Sequence, residues 1–219
     1  VDIGCKLEKI VLIGGGGHAK VAVDILNRMN KYEIVGVIVD KSDDKTEFLG
    51  YPVFQGDEKL KDFYIKGIYK AVIGVGGYRD NDLRKRIYEL LKSLNFEPIN
   101  VIDPSAIISK SVRYGEGNVI FPGVILNTDV VLGNNIIVAT GATIDHETII
   151  EDNVLISAGV TIGGYCKIKE GSLVALGAKI ISGVEIGKNS LIAAGAVVIE
   201  SVQDSKKVYG IPAKVKGEE

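Results

Sequence analysis

Residues 142–180 read ATIDHETIIEDNVLISAGVTIGGYCKIKEGSLVALGAKI. A branched aliphatic recurs at every sixth position: Ile144, Ile150, Ile156, Ile162, Ile168, Val174 and Ile180. At the same step the series reaches back through Val138, Leu132, Leu126, Ile120, Tyr114 and Ile108 to Ile102. It runs forward through Ile186 and Ile192 to Val198. Only Tyr114 breaks the chemistry, and the register never slips. Such a period is neither the ~3.6 of a helix nor the ~3.5 of a coiled coil. It is the period of a triangular β-helix, in which each flat face is one hexapeptide and three faces close a coil. One large aliphatic per face points inward and stacks on its equivalent in the next coil. Two residues before each lies a small or β-branched side chain (Ala142, Thr148, Val154, Val160, Cys166, Ser172, Ala178, Val184, Ser190, Ala196), suited to a narrowing interior. The sequence therefore predicts an all-β, left-handed parallel β-helix over 101–219, with about five coils of roughly 18 residues and a short C-terminal tail.

Upstream the pattern changes. Lys9–Ile13 is a short apolar run ending in the glycine turn Gly14-Gly15-Gly16-Gly17-His18-Ala19. Ala19 to about Met29 has helical spacing, with Val21, Ile25 and Leu26 on one face. Glu33–Val39 reads as a second strand ending at Asp40, and Ala71–Val75 as a third running into Gly76-Gly77. Asn81–Leu94 reads as an amphipathic helix capped by Asp80 or Asn81, its apolar side made of Leu83, Ile87, Leu90, Leu91 and Leu94. Three parallel strands with crossover helices predict an α/β, Rossmann-like βαβαβ domain over 1–100.

Gly14-x-Gly16-x-x-Ala19, with Asp40 downstream, satisfies the form of a dinucleotide fingerprint. Glycines there let a phosphate reach backbone N–H groups at a helix N-terminus. The unit lacks a second βαβ half, which favours a nucleotide or nucleotide-sugar over NAD. A tight strand-to-helix turn without a ligand is the plain alternative.

The 219 residues carry a net charge of −2, which gives no electrostatic footprint for nucleic acid. Cys5 and Cys166 stand far apart, without neighbours at metal spacing, so neither a disulfide framework nor a metal site is expected. No segment resembles a signal peptide or a membrane span, and a cytoplasmic location is expected. The repeats are uninterrupted, so a ligand groove has to lie on the outer surface or between subunits, and a prism with flat faces is expected to self-associate.

The chain has two histidines, His18 and His146. A β-helix hydrolyase of the carbonic anhydrase kind needs three as metal ligands, so that reading fails. His146 lies two residues past an inward isoleucine, hence near a corner. An imidazole suits a general base, and Glu147 or Asp145 beside it suits the role of orienting the ring. A surface histidine at a turn is the bland reading. For His18, a helix-start or solvent-facing role stands level with ligand contact.

Several segments together resemble one family: Gly15-Gly16-Gly17-His18-Ala19-Lys20, Val39-Asp40, Ile73-Gly74-Val75-Gly76, Ile144-Asp145-His146-Glu147, Ile150-Glu151-Asp152 and Gly210-Ile211-Pro212-Ala213-Lys214. The chain is similar, over about residues 9 to 215, to the bacterial nucleotide-aminosugar N-acetyltransferases and sialic acid O-acetyltransferases of the PglD and NeuD type. The resemblance implies a cytoplasmic homotrimer in cell-surface glycan biosynthesis that moves an acetyl group from acetyl-CoA to the 4-amino group of a UDP- or GDP-linked deoxyamino sugar. It implies His146 as general base and Glu147 as the acid that tunes it. It places Gly16, Gly17, His18, Asp40, Gly76 and Gly77 at the sugar nucleotide, and Leu155, Gly164, Leu176 and Ala194 along acetyl-CoA. Two positions depart from the family pattern: Leu155 stands where a histidine often touches acetyl-CoA, and Ala139 where an asparagine is common. O-acetylation of a sugar hydroxyl or of serine is the second enzymatic reading, and a silent trimeric nucleotide-sugar scaffold the third.

Overall fold

The computed structural model describes residues 7–77 and 81–215. The first part is a sheet flanked by helices: β1 (Glu8–Ile13), α1 (Gly17–Met29), β2 (Tyr32–Val39), β3 (Glu47–Phe48), β4 (Tyr51–Gln55), α2 (Lys59–Ile65), β5 (Lys70–Ile73), α3 (Asp82–Ser93) and β6 (Glu97–Pro98). The strand order is β3-β4-β2-β1-β5-β6, parallel except for the β3–β4 hairpin. The three strands read from the sequence form its centre, with β1 between β2 and β5. The edge elements had no clear signature. β4 carries Pro52, which has no N–H for a ladder and argues against a strand in sequence; β3 and β6 are two residues each, and α2 is too short to show a period.

α3 corrects the expected apolar face. Ile87 and Leu91 are buried, but Leu83 is 46% exposed, while the charged Arg84 next to it is buried. Asn81 is the N-cap residue but makes no side-chain cap; its amide instead donates to the carbonyl of Asn153 in the β-helix, at 2.9 Å. Asp80, the other expected cap, lies outside the described residues.

From Val101 the chain winds into a triangular parallel β-helix whose strands pair with those eighteen residues on, as in Val119↔Ile137 and Ile137↔Leu155. Face one runs from Val101–Ile102 to Leu191–Ile192 and ends on Lys207–Tyr209 with an antiparallel Lys214–Val215. Face two runs from Ile107–Ile108 to Val197–Val198, and face three from Arg113–Tyr114 to Glu185–Ile186. The inward aliphatics are buried from Ile120 onward; Tyr114, on the first coil with no coil beneath it, is 44% exposed. The small residues before them are buried too, and the polar ones satisfy corner carbonyls: Thr148 Oγ1 donates to Gly163 O at 2.9 Å and Ser172 Oγ to Gly187 O at 2.7 Å.

From Gly117 to Gly195 the successive corners of the coils carry a left-handed residue. Between faces one and two that column is all glycine: Gly123, Gly141, Gly159, Gly177 and Gly195. Between faces two and three it is Asp129 (φ 58°), Glu147 (56°), Tyr165 (57°) and Gly183 (76°). Glutamate and tyrosine are poor choices for that conformation, which costs an ordinary L-residue about 1–2 kcal/mol. Local strain therefore collects at the corner that carries His146.

The first part packs on face one. α1 buries Ala19, Ala22 and Val23 in the same core as Ile99 and Val101, and Arg28 reaches the buried Asp103 at 2.8 Å. α3 runs along the corner between faces three and one, where Tyr88 Oη donates to Glu116 at 2.8 Å and Lys85 Nζ to Glu170 at 3.0 Å.

Candidate active site

The glycine turn divides into structural and free positions. Gly14 has φ 106°, and a Cβ there would lie 2.8 Å from Val75 Cγ2, so the fold itself demands glycine. At Gly16 and Gly17, at the start of α1, a Cβ would meet nothing within 4 Å, and neither needs a positive φ. Packing does not explain glycine at these two exposed positions, which leave the backbone N–H groups at the start of the helix open to approach.

On either side of this turn lies a hollow. One, about 130 Å³, sits at the ends of β1 and β2 and is lined by Ile13, Gly14, Asp40, Val75, Leu83 and Arg86. This is where an open α/β sheet takes its ligands. The Asp40 carboxylate accepts from Ser42 N at 2.9 Å and Ser42 Oγ at 2.7 Å, and these bonds hold its pKa below the usual carboxylate range. The other hollow, about 230 Å³, lies between the turn and face one and is lined by His18, Gly76, Gly77, Phe121, Ile137, Ala139, Leu155, Ser157, Ala158 and Leu176. It brings three residues expected at the sugar nucleotide together with two expected along acetyl-CoA.

His18 stacks on Phe121 with ring centroids 5.1 Å apart and planes at 27°. Burial, reinforced by the charge of Arg84, lowers its pKa to about 3, so the ring is a neutral imidazole. Its Nε2 is buried without a hydrogen-bond partner among the described residues. A donor or acceptor arriving in the hollow would satisfy it.

His146 stands elsewhere, at the corner between faces two and three. Its side chain is 40% exposed, with Nδ1 3.4 Å from Glu147 Oε2 and Nε2 4.0 Å from Asp145 Oδ2. Asp145 Oδ1 accepts from the His146 backbone N–H and from Asn127 Nδ2, both at 2.8 Å, fixing the turn. Tyr165, one coil on, meets the imidazole edge-on at 5.0 Å and 87°. Its pKa is raised, first by a hydrogen bond to Glu147. Gly164 lies under the ring: a Cβ there would be 2.7 Å from His146 Cε1. The corner is thus an imidazole between a carboxylate and a phenol, with open space on its outer side.

Gly164 therefore groups with His146 and Glu147, while Leu155 and Leu176 line the His18 hollow. Asp40 lies in the other hollow. Ala194 follows Leu176 by one coil on the all-glycine corner, beyond the residues that line either hollow. Sequence reasoning missed Tyr165, Phe121 and Arg84. Tyr165 was discoverable, since it follows Glu147 by one coil length. Phe121 and Arg84 carry no such signal: Phe121 meets His18 from the other half of the chain, and the carbonyls that Arg84 serves come from both halves at no regular spacing. Among the described residues no group of three His, Cys, Asp or Glu converges as for a metal, and no helix is long and apolar enough to cross a membrane.

Residues 9–91 match the family described as the PglD N-terminal domain. The whole chain is similar to the GDP-perosamine N-acetyltransferase of Caulobacter crescentus, solved in complex with CoA and GDP-perosamine. They share 32% identity over 96% of this chain and 97% of that one, with a TM-score of 0.90. The chain belongs to the family of bacterial nucleotide-aminosugar N-acetyltransferases and sialic acid O-acetyltransferases. The acetyltransferase domain of PglB from Neisseria gonorrhoeae, solved with acetyl coenzyme A, is 28% identical over 96% of this chain and all of that one, with a TM-score of 0.87. A UDP-N-acetylbacillosamine N-acetyltransferase of Bacillus subtilis is 32% identical over 105 residues, 48% of this chain and 47% of that protein. The architecture is that of this family: a Rossmann-like α/β unit followed by a left-handed parallel β-helix.

Proposed function

We propose that the protein is an acetyl-CoA-dependent N-acetyltransferase acting on the 4-amino group of a UDP- or GDP-linked deoxyamino sugar. The observation that carries this reading is full-length likeness to a protein solved with both CoA and GDP-perosamine. The free backbone at Gly16 and Gly17 and the His146–Glu147 pair at a β-helix corner support it from the chain itself.

In this reading the nucleoside occupies the Asp40 crevice and the diphosphate crosses the N-terminus of α1 at Gly16 and Gly17. The sugar enters the hollow of His18, Gly76 and Gly77. Acetyl-CoA lies along the β-helix past Leu155, Leu176 and Ala194; alanine, leucine and glycine there suit an apolar arm. The sugar amine attacks the thioester carbonyl carbon, the C–S bond breaks, and the amine's proton leaves through His146 to the departing thiolate. Glu147, facing Nδ1, favours the tautomer that leaves the Nε2 lone pair free for that proton.

His146 and the His18 hollow lie on different corners of one prism, so one chain does not bring them together. A homotrimer, with His146 of one copy facing the hollow of the next, does. The outward Ile107 and Ile125 on face two and Ile149 on face three, all exposed, suit such packing. The cosubstrate is a cytoplasmic metabolite, and the enzyme is placed there too.

The test is CoA-thiol release with acetyl-CoA and a panel of UDP- and GDP-linked 4-amino sugars, for the wild type and His146→Ala. A fall in kcat of about 10²-fold or more is expected for the variant. Undiminished kcat would sink the base role, and no thiol release by the wild type with any acceptor would sink the function. Sedimentation should give three copies.

A further inference from the structure

Arg84 is the largest fully buried side chain, 2% exposed, and among the described residues no carboxylate pairs with it. All of its assigned bonds go to backbone carbonyls. Nη1 donates to Ile73 O and to Val75 O, both at 2.8 Å; Nη2 donates to Gly117 O at 2.8 Å, and Nε faces Asn135 O at 3.5 Å. Ile73 ends β5, and Val75 lies in the segment that leads from it into Gly76-Gly77. Gly117 and Asn135 are left-handed corner residues of two successive β-helix coils. One guanidinium thus ties the sugar-side loop to the β-helix directly behind the His18 hollow. Gly76 in turn backs the histidine: a Cβ there would lie 3.2 Å from His18 Cβ and Cγ. Phe121, on which His18 stacks, follows Gly117 on the same coil.

Burying a cation without an anion is costly, and here burial lowers the arginine pKa to about 9, which still leaves it charged at neutral pH. A hydrophobic side chain would join two layers more cheaply. Only a planar fork with several donors serves four carbonyls from two layers at once.

The geometry points to Arg84 as a positioning residue for the acceptor: it sets the spacing between Gly76-Gly77 and face one, and so the width of the hollow that holds the sugar. That the hollow holds a sugar rests on the function proposed above; that Arg84 sets its width does not.

The full-length protein is compared with Arg84→Lys and Arg84→Met. In Arg84→Lys, KM for the amino-sugar nucleotide rises about tenfold, as for a site whose competent state is a tenth populated. KM for acetyl-CoA stays within about twofold, because its track lies on the β-helix. Arg84→Met shows a larger rise, with lysine a partial rescue. Equal KM values with only a lower melting temperature would overturn the inference, as would an equal rise in both. If Arg84→Met does not fold, Arg84→Lys decides by the same criteria. Amide hydrogen exchange gives a readout free of turnover: Gly74, whose N–H donates to Ile13 O at 2.7 Å between the two carbonyls that Arg84 holds, should exchange about tenfold faster in Arg84→Lys, while the β-helix amides keep their protection. Unchanged exchange at Gly74 overturns the positioning role even if no acceptor is found. Thiol release absent in the wild type, with faster exchange in the variant, sinks the function and leaves the positioning intact.

Discussion

Gly164→Ala isolates the geometry of the corner with a single methyl. Gly164 has no positive φ, so alanine suits its backbone. The new Cβ, however, would lie 2.7 Å from His146 Cε1, 2.8 Å from Nε2 and 3.1 Å from Nδ1. Ordinary carbon contacts need about 3.5 Å or more, so the ring has to move by close to ~1 Å. It cannot keep both its approach to Glu147 and its edge-on contact with Tyr165 while doing so. A misplacement of this size in a reacting group costs about 10²-fold, or about 2.7 kcal/mol of barrier. The ring is partly exposed, so stability should change by less than about 0.5 kcal/mol. Steady-state thiol release at saturating acetyl-CoA and nucleotide amino sugar measures the effect, with melting curves as control. The result expected is a large loss of kcat with both KM values near wild type. A raised KM for acetyl-CoA with kcat intact would refute the reasoning, since Gly164 would then serve the coenzyme rather than the base.

Glu147→Gly should stabilise the protein by about 1 kcal/mol, because it relieves a left-handed glutamate, yet lower kcat; urea midpoints that fail to rise would deny the strain. Thr148→Val deprives Gly163 O and Cys166 N of a buried hydroxyl partner and should cost about 2 kcal/mol in chemical denaturation; a neutral result would mean the corner relaxes. Acid sensitivity follows from His18, held at about 3 when folded against an ordinary 6.5. Between these values the unfolded chain takes up a proton that the folded chain refuses. Stability thus falls as pH drops from about 6.5 toward 4, at a slope approaching ~1.4 kcal/mol per pH unit. His18→Phe keeps a ring on Phe121 and should flatten that slope in urea titrations at successive pH values; equal acid sensitivity would contradict a buried neutral imidazole.

The chain alone specifies the β-helix, because a six-residue period is a local rule: each inward aliphatic and each small residue before it repeats the same contact with the next coil. It also determined the strand–turn–helix opening, since strand length, glycine placement and helical spacing lie close together along the chain. His146 and Glu147 were legible for the same reason, as neighbours at a corner the period locates. The packed fold separates the glycines it requires from those it leaves free, for that depends on what stands opposite each one: Val75 at Gly14, nothing at Gly16 and Gly17. It alone placed Arg84, whose charge reads as a solvated helix face but whose four carbonyl partners come from two layers. It alone set the His18 hollow and the His146 corner on separate edges of one prism. Residues that meet across a packed interface leave no period in the chain, and these partners were assembled by packing.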